Sequence, residues 1–355
     1  MTEQMNVASA TTTEHDGGPA PARNSPVAGV PAGSAYHRLA RTGRHRWWRP
    51  PVATLAAAAG WWLSVFLLMF IMAGVAGLKL GGSQDLVFAD PLWDDVATLL
   101  VLAFMLPMVL LAARLVQRRT AGGLSSVTGR LRWRWLLVCL GVAMAAALLL
   151  GGVMAAAALV SKAGTDGPGS AWVGWPTFLT YAAVLVLLLP FQAAAEEYVF
   201  RGWLPQVFGS YLRTPWPGAV FGAVLFALAH GLGTPWGFID LILFSLVLSF
   251  LVHRTGGLEA ALAYHVCVNV VSLVLAVTTA DGITDRSNAA DMYWQQLVAG
   301  AVVLALYACV ILRLSRRFRI ARTAPAPAPA PATLPASRIA RGGGGGGGGG
   351  ELPAQ

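Results

Sequence analysis

Apolar stretches long enough to cross a bilayer recur through the middle of this chain, and they constrain its fold more than any other feature. A hydrocarbon core of ~30 Å takes about 20 helical residues to span. Eight such stretches, separated by polar punctuation, run approximately over 52–78, 96–116, 135–160, 178–200 with an extension toward 211, 218–232, 238–252, 258–277 and 294–312. The fifth and sixth are short and parted only by Gly233 to Gly237, which reads as a tight helical hairpin. Only 12% of the residues are charged, against roughly 25% in an ordinary soluble domain, so a soluble globular fold is excluded. The expected fold class is all-α, a polytopic membrane protein of about eight transmembrane helices with disordered termini.

The ends of the chain differ in kind from its middle. Residues 1–35 are rich in Ala, Gly, Thr, Ser and Pro and lack an apolar run, so they bury too little surface to offset chain entropy and are expected to be disordered. The same stretch has no apolar region behind a basic start, and no cleavable secretory signal is expected. From Thr323 the chain alternates Ala and Pro, then runs through nine glycines, Gly342 to Gly350. This reads as a stiff spacer followed by flexible coil. The membrane domain is expected over 36–322. Cys139, Cys267 and Cys309 lie in apolar stretches without metal-site spacing and read as small core residues.

The net charge of +9 comes from 25 basic and 16 acidic residues that are segregated along the chain, a pattern that points to membrane topology and not to nucleic acid. Arg38, Arg41, Arg44, Arg46 and Arg49 precede the first span, Arg118, Arg119, Arg130 and Arg132 follow the second, and Arg213, Arg254 and the Arg313 to Arg322 group mark later links on the same side. The opposite links carry Asp85, Asp90, Asp94, Asp95, Asp166, Asp281, Asp285 and Asp291, with Lys79, Lys162 and Arg286. Since arginine is retained in cytoplasmic loops, both termini are expected in the cytoplasm. Contact of the basic arms with anionic headgroups is a natural addition. Trp47, Trp48, Trp61, Trp62, Trp93, Trp133 and Trp135 near span ends read as an aromatic belt. Asp240 is expected to snorkel to the interface from its helix.

Ionisable groups inside apolar spans cost at least ~2.5 to 3.5 kcal/mol each and call for a pocket, a partner and a task. Three places carry them: Glu196-Glu197-Tyr198-Val199-Phe200-Arg201, Phe226 to His230, and His265 to Asn269. Adjacent helical residues point about 100° apart, so Glu196 and Glu197 should not face one partner equally. Glu197 stands four before Arg201, in the favourable order for an ion pair. Glu196 has only Val199 and Phe200 at those offsets and must find a partner on another helix, which makes it the better catalytic candidate. His265 and Asn269, at i and i+4, share one helical stripe. The bland readings remain beside these: capping or structural pairing for the acids, interfacial placement for His230, and interhelical packing worth about 0.6 kcal/mol for His265 and Asn269. Pro190 should kink the fourth span, and Gly218 with Gly222 offers a GxxxG approach on the fifth.

The succession Glu-Glu-x-x-x-Arg, Phe-x-x-x-His, His-x-x-x-Asn resembles the CAAX prenyl endopeptidase and bacteriocin-processing (CPBP, Abi) family of intramembrane proteases, over about residues 178–275. Gly202 after the arginine and the Arg254 to Gly257 turn also fit, whereas Glu259 departs from the family's habit and is expected at the cytoplasmic interface. The resemblance implies that Glu196 acts as general base with His230 on a water, that His265 and Asn269 complete the site, and that Glu197 and Arg201 support it electrostatically. Zinc is implied as an option, with Glu196, His230 and His265 as the ligands. The expected substrate is a membrane-associated peptide or protein, in a bacterial cell membrane. A non-catalytic scaffold or immunity-type protein is the alternative, and a small transporter the third; no repeat supporting transport is evident.

Overall fold

The computed structural model describes Val27, residues 29–74, Phe88 and residues 90–285 and 287–326 apart from 162–170, with backbone alone for 158–161. Among these, seven helical elements are long and apolar enough to cross a membrane, and an eighth apolar helix is shorter. In order they are α1 (Arg49–Gly74), α2 (Pro91–Ala103) continued by α3 (Met105–Leu115), α4 (Trp133–Ser161), α5 (Trp175–Glu196), a π-helical segment (Glu197–Trp203), α6 (Leu204–Gly209), α7 (Trp216–Ala229), α8 (Pro235–Thr255), α9 (Glu259–Ala276), the short α10 (Ala280–Thr284) and α11 (Trp294–Arg317). Pro107 explains the break at Phe104, because it has no N–H to donate and its ring crowds the carbonyl of Ala103.

The links between helices gather at two ends. At one, Ala35 bridges Thr323, Ser126 bridges Gly257, and the His37 ring contacts the Arg213 carbonyl at 3.0 Å. At the other, Trp172 bridges Thr279 and the Thr234 hydroxyl donates to the Met292 carbonyl at 2.6 Å. Helix α7 joins the two sets of links, so the described chain makes eight passes. At 1.5 Å per residue its 14 residues reach only about 21 Å, short of a full hydrocarbon core. The arginines cluster at the first end, as the charge pattern requires.

Outward faces are apolar, with Phe70 on α1 76% exposed, which suits acyl chains and would be a liability in water. The inner core forms where small side chains let helices close. Cys139, Ala143 and Ala147 repeat every four residues along α4, buried in one cluster with Ala260, Ala263, Tyr264 and Cys267 of α9, the spacing that permits close helix approach. Gly218 and Gly222 do the same for α7. A methyl group on Gly222 would fall 2.8 Å from the Phe200 carbonyl oxygen, and one on Gly218 2.9 Å from Phe208.

Several expectations need correction. Residues 29–35 are not an unpacked tail, since Val27 and Val30 are buried in the main core; nor is the chain just after Thr323, because Ala324 is buried there and donates its N–H to Ser34. Residues 1–26 and 327–355, along with Lys79, Lys162, Arg286, Asp85 and Asp166, lie outside the described residues. Cys309 is exposed on α11, and Trp135 is buried against Phe318 instead of joining a belt. Asp240 lies half-buried beside Gly300 of α11. Glu259 keeps its place at the arginine-rich end but is fully buried there, because the Arg132 backbone and guanidinium wrap both its oxygens at the start of α9.

Candidate active site

The fourth pass continues unbroken from Trp175 to Gly209 over 35 residues, with Pro190 inside it. Glu196 therefore lies thirteen residues before its end, about 20 Å at helical rise. The last α-helical residue is Glu196, and Glu197 opens the π-helical turn. Such wide turns are uncommon and recur at functional sites. Here the turn brings two consecutive carboxylates to one imidazole.

That imidazole is His265. Its Nδ1 lies 2.7 Å from Glu197 Oε1 and its Nε2 lies 3.5 Å from Glu196 Oε2. The adjacent acids thus meet one ring unequally, as the helical wheel requires: Glu197 is hydrogen-bonded to one edge and Glu196 stands off the other. Arg201 Nη1 donates to the same Glu197 oxygen at 3.0 Å. Glu197 and Arg201 side chains are entirely buried, and Glu196 and His265 nearly so.

Two carboxylates and one guanidinium leave one uncompensated negative charge in a medium that penalises it heavily. The Glu197 contact orients the ring and turns its Nε2 toward Glu196 Oε2. Glu196 Oε2, Glu197 Oε2, Arg201 Nε and Arg201 Nη2 have no hydrogen-bond partner among the described residues. The cluster keeps hydrogen-bonding capacity in reserve.

Aromatic rings wall the site. The Arg201 guanidinium lies 4.2 Å from the Phe226 ring centre and 5.4 Å from that of Phe244, a cation–π arrangement that partly replaces hydration. Phe244 meets the His265 ring edge-on at 5.3 Å. Asn269 Nδ2 donates to Gln192 Oε1 at 3.4 Å. Gln192 and Glu196 stand one turn apart on α5, as His265 and Asn269 do on α9, so the two helices face each other as a two-rung polar ladder.

His230 stands apart. It ends α7, its Nδ1 lies 2.8 Å from the Phe226 carbonyl of its own helix, and its ring packs at 4.6 Å on Phe226. No hydrogen bond links it to Glu196 or His265 among the described residues. It is one aromatic ring away from His265, since Phe226 touches both. The zinc set of Glu196, His230 and His265 is consequently not gathered. Among the described residues no group of three or more His, Cys, Asp or Glu side chains is placed to hold a metal, and both nitrogens of His265 face carboxylates.

Gln192 and Phe244 were not singled out from sequence. An amide one turn before Glu196 in an apolar span was a usable signal for Gln192. Phe244 is one apolar residue in an apolar helix and carried none.

Comparison with known proteins points the same way. Residues 176–271 match the family model described as type II CAAX prenyl endopeptidase Rce1-like. An uncharacterized protein of Bacillus subtilis (strain 168), YyaK, is 26% identical over 195 residues, covering 52% of this chain and 62% of the relative. The chain therefore spans less than two thirds of that relative's length. No solved structure matches. Its apolar helices make the chain a multi-pass membrane protein, and every motif residue from Glu196 to Asn269 lies inside the segment, residues 176–271, that is similar to the Rce1-like model.

Proposed function

We propose that this chain is an intramembrane endopeptidase that hydrolyses a peptide bond of a membrane-associated peptide or protein. The observation that carries the reading is the clamping of His265 between Glu197 and Glu196, with Glu196 Oε2 left without a hydrogen bond. Hydrolysis needs a base for the attacking water and donors where charge develops on the carbonyl oxygen. Glu196 Oε2 accepts the proton of a water lying beside His265 Nε2. His265 relays the proton that Glu196 takes from water to the leaving amine, so that both groups return to their starting forms. Glu197 fixes the ring, and Arg201 balances the Glu197 charge.

The amide N–H of Asn269 is the candidate donor to the tetrahedral oxyanion. Arg201 also borders a separate site for water, which Glu196 and His265 do not line. Arg201, His37, Ser249 and His253 all line a cavity of about 20 Å³, and each has a buried polar atom without a protein partner; that volume suffices for one water. Both termini are assigned to the cytoplasm on the arginine distribution, with the arginine-rich end inward.

The test is cleavage of membrane-associated peptides by the purified full chain, read by mass spectrometry, in wild type, Glu196→Gln and His265→Ala. The reading expects cleavage only in wild type, with the variants folded by thermal unfolding. Equal biological function in folded, non-cleaving variants would favour the scaffold.

A further inference from the structure

A second polar feature lies at the arginine-rich end, away from the catalytic cluster. A cavity of about 550 Å³ is lined by Gly29, Thr42, Gly43, Arg44, Arg114, Arg118, Arg119 and Thr120. Four of these eight are arginines and none is acidic. They come from two segments, the N-terminal stretch before α1 and the chain leaving α3. Arg44, Arg114 and Arg118 are exposed.

Arg119 is different, because it is buried and no carboxylate among the described residues pairs with it. Its Nε and Nη1 donate to the side-chain oxygens of Gln117 and Gln206, which are neutral acceptors, and its Nη2 has no partner. Burial lowers the guanidinium pKa, but only to about 10, so it remains charged at neutral pH. Buried cations are normally paired. Arg118, next to it, holds a left-handed backbone with φ of 52°, an arrangement that costs energy in a non-glycine residue and recurs at ligand clamps. A cavity with four guanidinium groups, one of them buried with an unfilled donor, has the donor chemistry of a phosphoryl site.

We propose that this cavity binds the phosphodiester headgroup of an anionic phospholipid. The source of the phosphate follows from the position of the cavity. It opens where α3 ends, and Leu111 and Leu115, both outward-facing, continue from it along the apolar surface of the same helix. A headgroup seated among the arginines places its acyl chains along those leucines. A phosphodiester oxygen supplies the acceptor that Arg119 Nη2 lacks, and Arg44 ties the N-terminal segment to the α3 end through the same anion.

The proposal is tested by native mass spectrometry of the detergent-purified full chain, titrated with short-chain phosphatidylglycerol, short-chain phosphatidylcholine and inorganic phosphate. The expected result is retention of phosphatidylglycerol over phosphatidylcholine, weakened about tenfold or more in Arg114→Gln/Arg118→Gln. Arg44→Gln, on the other segment, weakens it in the same direction. Arg316→Gln/Arg317→Gln removes the same charge from the exposed end of α11 and leaves retention unchanged. Equal retention of the two lipids overturns the proposal, as does equal loss in the α11 control, which would signify diffuse attraction to the basic end. Displacement by inorganic phosphate at the concentration that saturates with lipid overturns the headgroup assignment.

Discussion

Two buried arginine–glutamate pairs sit in this bundle, and they are built to different plans. In the first, Arg132 donates from Nε and Nη2 to the two oxygens of Glu259, from its backbone N–H to Oε1, and from Nη1 to the carbonyls of Thr255 and Ala321. No atom of either side chain is left unpartnered. It ties the start of α4 to the start of α9 and to the chain after α11. In the second, Arg201 spends one nitrogen on Glu197, and four nitrogen and oxygen atoms across Arg201, Glu197 and Glu196 have no hydrogen bond. A saturated pair is a fastener. An unsaturated one in a membrane interior is retained for something else, because each unfilled buried donor or acceptor costs about 1 to 3 kcal/mol.

Removing the base should give the largest effect. Glu196→Gln keeps size and shape, and peptide cleavage should fall by about 10²- to 10⁴-fold, while the unfolding midpoint in detergent stays close to wild type. Glu259→Gln should do the reverse. It strands the Arg132 charge and should cost about 3 to 5 kcal/mol of stability, with cleavage per folded molecule unchanged. Unfolding curves measured beside cleavage rates for both variants show whether the two pairs divide as described.

Gly222→Ala tests how α7 holds the wall. Its new methyl meets the Phe200 carbonyl, so α7 must shift away, at about 1 to 3 kcal/mol by overpacking. Phe226 and His230 move with it, and cleavage should drop along with stability.

The motif order in the sequence led to the right helices and to the Glu197–Arg201 pair, but not to the contacts of His265. Glu196, Glu197, Arg201, His265 and Asn269 were legible because charges and amides stand out against an apolar background. That Glu197 and not His230 contacts His265 directly depends on the π-helical turn, and nothing in Glu-Tyr-Val-Phe-Arg-Gly-Trp announces a wider helix. The pairing of Glu259 with Arg132 was not legible, because the two are 127 residues apart and Arg132 reads as one more topological arginine. The tails were read from composition, which has no way to show that Val27, Val30 and Ala324 find places in the core.

The smallest predicted effect concerns pH. Burial depresses the His37 pKa, with further lowering by the charges of His253 and Arg38 and opposition from the Arg213 carbonyl contact. The folded state therefore binds fewer protons than the unfolded one below the ordinary histidine pKa near 6.5. Stability should be fully present above that pH and decline as pH falls through it toward the folded value. His37→Gln should flatten that acid-side decline in a pH series of unfolding midpoints.

The central claim, that Glu196 and His265 activate water directly, is tested most closely by one turnover in ¹⁸O-water with the full chain in excess over a cleavable membrane peptide. The account predicts one ¹⁸O atom in the new carboxyl terminus, none in the side chain of Glu196, and no product with Glu196→Gln. Unlabelled product with label later found in Glu196, or undiminished cleavage by the glutamine variant, would contradict it.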